Sequence, residues 1–183
     1  PEPFTILGCH HATQALLHSL HAGSQPPADI TIPLEFRLPD GSFVHYPRTS
    51  FPAPLHTWVN LLRFAGIPWK ERWRLVSRLE RLWEGDAELP ADLEQRTAAD
   101  WLASIGQSAQ TRSLVWNPLA QWLTGNDLAT MSADAFLRSM KPVFLSSHPD
   151  SRISVVQDSL LACFVQPITQ RLRQQHATIL YTT

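Results

Sequence analysis

The chain has 183 residues, 44% hydrophobic and 17% charged, which fits one domain or one and a fraction and excludes a disordered polymer. A net charge of −1 excludes an overall field that would draw in nucleic acid, so any electrostatic partner must be read from a local patch. Cys9 and Cys163 are too few for a disulfide framework, which points to a reducing, cytoplasmic compartment.

Apolar residues at Leu7, Ala12, Ala15, Leu16 and Leu20 predict a helix over 7–20, ended by Gly23 and Pro26-Pro27. Ile30, Ile32, Leu34, Phe36 and Leu38 then alternate. With Asp40-Gly41 ahead of Phe43, Val44 and Tyr46, they predict a β-hairpin over 30–46 with a two-residue turn. Pro33 pushes the first of its strands toward a sheet edge.

Leu55, Trp58, Val59 and Leu62 predict the apolar face of a helix stopping at Gly66, and Pro68 starts the next. That helix runs to about Glu84 with Trp69, Trp73, Val76, Leu79 and Trp83 on one side and charges elsewhere. An acidic loop, 84–94, follows. Thr97 and Asp100 resemble a capping box for a short helix with Trp101, Leu102 and Ile105. Leu114–Leu123 continues apolar with a kink at Pro118, and Ser132 caps a helix carrying Phe136 and Met140. After a break at Pro149-Asp150, Pro167 begins a helix to about Gln175, and 177–183 reads as a strand entering a sheet supplied from outside the chain. The chain does not open on Met and is read as a piece of a longer protein.

Neighbouring glycines stand at least 15 positions apart, as Gly8 and Gly23 do, so no dinucleotide or phosphate-loop fingerprint can be assembled. No nucleophile elbow or zinc helix is present either, and no catalytic residue is assigned. His10, His11, His18 and His21 could offer imidazoles to a metal, but no carboxylate in that segment completes the set, so no metal is expected. Between 63 and 81 the basic residues Arg63, Lys70, Arg72, Arg74, Arg78 and Arg81 outnumber Glu71 and Glu80, with tryptophans interleaved. This layout marks Trp69, Arg72 and Trp73 as candidates to face an anionic membrane surface; the alternative is an ordinary amphipathic helix. No run approaches the roughly 20 apolar residues of a membrane span.

Four segments, in order, resemble the central part of the squalene-associated flavoproteins, hydroxysqualene dehydroxylases related to phytoene desaturases and amine oxidases. They are Leu7-Gly8-Cys9 with Leu16-Leu17; the strand pair around Asp40-Gly41 leading to Phe51-Pro52-Ala53-Pro54-Leu55-His56 and Pro68-Trp69-Lys70-Glu71-Arg72; Trp101-Leu102 followed by Val115-Trp116-Asn117-Pro118-Leu119; and Phe136-Leu137 with the closing helix and strand. Departures are His10, where an aromatic is expected, and Gln175-His176, where a glycine is.

The resemblance implies an α+β chain: a mainly helical substrate domain with a hairpin, about 1–165, and a helix and strand, about 166–183, returning toward a Rossmann-type FAD domain that lies outside it. It implies that FAD in the parent protein acts on a long isoprenoid, removing the hydroxyl of hydroxysqualene to give squalene in hopanoid synthesis. The fragment alone would bind no cofactor. Trp116 would pack against the isoprenoid and Asn117 would offer it a polar contact, in a protein peripheral on the inner face of the membrane. A phytoene or carotenoid desaturase, and a non-enzymatic helical module binding lipid or a partner, are the other readings.

Overall fold

The computed structural model describes residues 3–21, 28–53, 55–83 and 92–180, the side chains of 79–83 excepted. The chain is of the α+β class and divides into two units, one of residues 33–151 and one made from both ends of the chain, 1–32 with 152–183.

In the split unit β1 (Phe4–Leu7) and β2 (Asp29–Ile32) pair antiparallel on either side of β5 (Ile153–Val156). The expected helix over 7–20 is therefore shorter: Phe4–Leu7 is a strand and α1 is His11–Leu20. Alternation in β1 and β5 turns Phe4, Ile6 and Val156 to one face, where Ile6 and Val156 are buried with Cys163. Arg152 crosses to β2, donating to Thr31 Oγ1 at 2.9 Å and Asp29 Oδ2 at 2.5 Å.

The last helix, α8 (Gln166–Gln174), is entered through a π-helical turn, Leu161–Val165. The cause is Pro167, which has no N–H to give the carbonyl four residues back, that of Cys163. The released Cys163 carbonyl accepts from His21 Nε2 at 3.1 Å instead. Residues 177–180 form no strand, and 181–183 lie outside the described residues.

The second unit opens with a hairpin, β3 (Glu35–Arg37) against β4 (Phe43–His45). Pro33 ends β2 at Ile32, so Ile30 and Ile32 belong to the other sheet and not to the hairpin expected over 30–46. The turn is longer than two residues: Leu38 N–H bonds Ser42 O at 2.8 Å around Pro39, Asp40 and Gly41, with Gly41 at φ +84°.

Helices α2 (Leu55–Arg63), α3 (Trp69–Trp83), α4 (Ala98–Ser104), α5 (Ala109–Thr111), α6 (Asn117–Thr124) and α7 (Ala133–Phe144) follow. A second π turn, Arg112–Trp116, joins α5 to α6 two residues before Pro118, the same device as at Pro167. A 3-10 turn, His148–Ser151, leads back toward β5. The acidic loop lies outside the described residues from 84 to 91.

Two expected helix faces are corrected. In α2 the buried residues are His56, Thr57, Asn60 and Leu61, whereas Leu55 is exposed. In α3 it is Leu75 and Glu71 that turn inward, while Trp69 and Trp73 face solvent. Polar residues can take the inner face of α2 because partners wait there: Thr57 Oγ1 donates to Phe144 O, and Asn60 Oδ1 accepts from Thr49 Oγ1 at 2.9 Å.

Candidate functional site

A cavity of about 60 Å³ lies within the unit of residues 33–151. Its wall draws on five helices of this unit: Thr57 and Leu61 from α2, Leu75 from α3, Trp101 and Leu102 from α4, Leu119 from α6, and Phe136, Leu137 and Met140 from α7. Phe36 and Tyr46 close it from the hairpin side. The rings touch in series. Phe64 lies 5.2 Å from Phe36 and 5.5 Å from Tyr46, Tyr46 lies 5.6 Å from Phe144, and Phe136 lies 6.4 Å from Trp101 and 6.3 Å from Trp116, edge-to-face in the last pair. Tyr46 and Thr57 are the two hydroxyl residues in the wall. Burial pushes the Tyr46 phenol well above its ordinary range, so it remains a neutral donor at physiological pH.

Trp116, proposed from sequence as pocket lining, is in this wall. The π turn carries it, and its indole N–H donates to Gln107 Oε1 at 3.0 Å. Gln107 in turn gives Nε2–H to the Glu71 carbonyl at 3.1 Å, and Glu71 Oε2 accepts the Ser108 N–H at 2.9 Å. Gln107 is 2% exposed and fixes the ring's rotation, a role the sequence pattern did not reveal. The one local signal is its place just after Gly106, whose φ of +84° turns the chain inward between two helices.

Asn117 is placed differently from what its neighbour suggests. It is not part of the wall; its Nδ2 donates to Asp127 Oδ1 at 3.1 Å and its Oδ1 accepts the Leu128 N–H at 3.0 Å, so the amide ties down the loop after α6.

The three residues marked as membrane-facing separate as well. Trp69 and Trp73 are exposed, with rings 6.3 Å apart. Arg72 is turned onto the chain, donating from Nε to Ile67 O and from Nη1 to Leu62 O at 2.8 Å, where it caps the end of α2.

Beside the cavity stands a polar group that the sequence reading missed. His56 is 1% exposed, its Nε2 lies 3.2 Å from Thr57 Oγ1, and the His148 ring stands edge-on 6.4 Å away. Since Thr57 gives its proton to Phe144 O, it can only accept from His56, which fixes the Nε2–H tautomer and leaves Nδ1 as a buried acceptor without a partner. Among the described residues no group of three or more His, Cys, Asp or Glu is placed to hold a metal. Burial, followed by the nearby Asp158, pushes the Cys163 thiol up, away from nucleophilic chemistry at neutral pH.

The site is thus an aromatic-walled apolar cavity in a helical unit, whose wall offers dispersion contacts rather than charge. No family model matches the chain, and no curated protein is similar enough to count as a relative. Among the described residues no helix is long and apolar enough to cross a membrane.

Proposed function

We propose that the chain is the substrate-handling part of an FAD-dependent oxidoreductase acting on a long isoprenoid, of the kind that converts hydroxysqualene to squalene in hopanoid synthesis. The observation supporting this is the wall of the cavity, aliphatic and aromatic apart from Tyr46 and Thr57, with Trp116 held in it by Gln107. The volume of about 60 Å³ is far below the roughly 300–1,000 Å³ of a ligand-filled pocket, so the reading requires the wall to part as the ligand enters.

The described residues do not fit FAD. Glycines at positive φ stand singly, at the hairpin turn (Gly41) and after two helix C-termini (Gly106, Gly125), not in a phosphate loop before a helix N-terminus. Flavin, which would supply the redox chemistry, therefore belongs to a Rossmann-type domain of the parent protein into which residues of this chain are inserted. The same reading has the protein in the cytoplasm, peripheral on the inner face of the membrane in which such a substrate dissolves.

The test is a titration of the purified chain with cyclodextrin-solubilised hydroxysqualene and, separately, phytoene, followed by tryptophan emission. Saturable binding of hydroxysqualene is expected, weakened about tenfold or more in Trp116→Phe, which loses the larger ring and the Gln107 bond together. Preference for phytoene would move the reading to a desaturase. No saturation with either, or stoichiometric flavin bound to the chain itself, would sink it.

A further inference from the structure

Helix α3 offers solvent two neighbouring stripes. Trp69 and Trp73, one turn apart, are 59% and 60% exposed. One position further along, at the same four-residue spacing, run Lys70, Arg74 and Arg78, all exposed. Among the described residues the acid of this helix, Glu71, is withdrawn from this face, and so is one cation, Arg72. Glu71 is buried with its carboxylate on the Ser108 N–H, and Arg72 spends its guanidinium on the carbonyls of Leu62 and Ile67. Two indoles beside a row of three cations are thus presented together on one helix.

We propose that this face docks on an anionic lipid bilayer, with Trp69 and Trp73 at the boundary between headgroups and acyl chains and Lys70, Arg74 and Arg78 on acidic headgroups. The indole suits that boundary because it has an apolar body and a polar N–H. Cations on long stems reach the headgroups while their methylenes lie over apolar surface. A neutral bilayer would use the indoles alone; the row of cations is what selects an anionic one. This rests on the peripheral-membrane part of the reading above and names the surface and the lipid charge that carry it.

The experiment is co-sedimentation of the whole chain with phosphatidylcholine vesicles, with and without phosphatidylglycerol, at low and high salt. Binding to the mixed vesicles alone is expected, weakening as salt rises. Lys70→Ser, Arg74→Ser and Arg78→Ser should each lower partitioning about fivefold. Trp69→Ser with Trp73→Ser should abolish quenching of tryptophan emission by brominated lipid, with the helical circular dichroism of every variant unchanged. Equal binding to neutral vesicles, no binding to either, or unchanged binding in both sets of variants would overturn the proposal. The same holds for an anionic protein competing on equal terms with the vesicles. Hydroxysqualene titrations of these variants separate the two readings: intact ligand binding with lost vesicle binding leaves the cavity reading standing, and vesicle binding without ligand binding leaves the docking face.

Discussion

His56 shows what a buried imidazole does to the pH response of the fold. Burial first, and His148 second, hold its pKa below the ordinary 6.5, outweighing the upward pull of the nearby Pro52 carbonyl and of Asp150. The folded chain keeps His56 neutral while the unfolded chain protonates it near its ordinary value. The stabilisation is therefore present above pH 6.5 and is lost as pH falls through the depressed folded value. Urea midpoints should drop between about pH 7.5 and about pH 5.5. His56→Gln keeps an N–H for Thr57 but cannot titrate, so its midpoint should drop less. An identical fall in both proteins would remove His56 as the cause. None of this was legible in the sequence. Period 3.6 made Leu55, Trp58, Val59 and Leu62 the natural inner face, and the carbonyl and hydroxyl that rotate the helix come from Phe144 and Thr49, far away along the chain or outside the helix. Trp116 is singled out through the resemblance carried by Val115-Trp116-Asn117-Pro118-Leu119, since the run taken alone reads as a kinked core helix; the hydrogen bonds of Asn117 were not legible, because its partners Asp127 and Leu128 lie across a turn.

At the scale of elements, the helix caps were the most readable features. Thr97 accepts the Asp100 N–H at 3.1 Å and Ser132 accepts the Ala135 N–H at 3.1 Å, as local chemistry alone predicts. What local chemistry does not show is that the two caps meet in an antiparallel bridge. Ala98 N–H bonds Met131 O at 3.0 Å and Ala133 N–H bonds Arg96 O at 2.9 Å, so each helix start satisfies a free donor with the chain that leads into the other. Thr97→Ala and Ser132→Ala should each cost about 1 kcal/mol in urea unfolding. Because the caps share the bridge, the double variant should depart from the sum by about 0.5 kcal/mol or more. Strict additivity would mean that the bridge couples nothing. The π turns before Pro118 and Pro167 belong to the same lesson: the prolines announced a disturbance, but whether the chain kinks, stops or widens by one residue depends on what receives the freed carbonyl, such as His21 for Cys163. The strands β1 and β5 were missed for want of length, four residues each, and because their pairing joins residues about 150 positions apart.

At the scale of the whole molecule, the path of the chain is that of an insertion. It leaves the split unit after Ile32 and returns at Arg152, and Ile32 and Ile153 are register partners on adjacent strands. The ends of residues 33–151 are thereby held as neighbours, the arrangement that lets one folded unit be spliced into another. The two cores are unequal. The main cluster, from Phe36 to Met140, belongs wholly to 33–151, whereas the split unit has Ile6, Val156 and Cys163 at its centre and no buried residue in α1 or α8. Burial on that scale stabilises little against the backbone entropy of ordering three strands and two helices. Residues 33–151 expressed alone should therefore fold, with a cooperative urea transition and the edge-to-face shift of Trp116 on Phe136 preserved in the proton spectrum. The complementary protein, with Ile32 joined to Arg152 by a short Gly-Ser linker, should show a broad, weak transition and rapid amide exchange in β2 and β5. A split unit that folded cooperatively alone, beside a 33–151 that did not, would reverse the assignment of which core carries the stability.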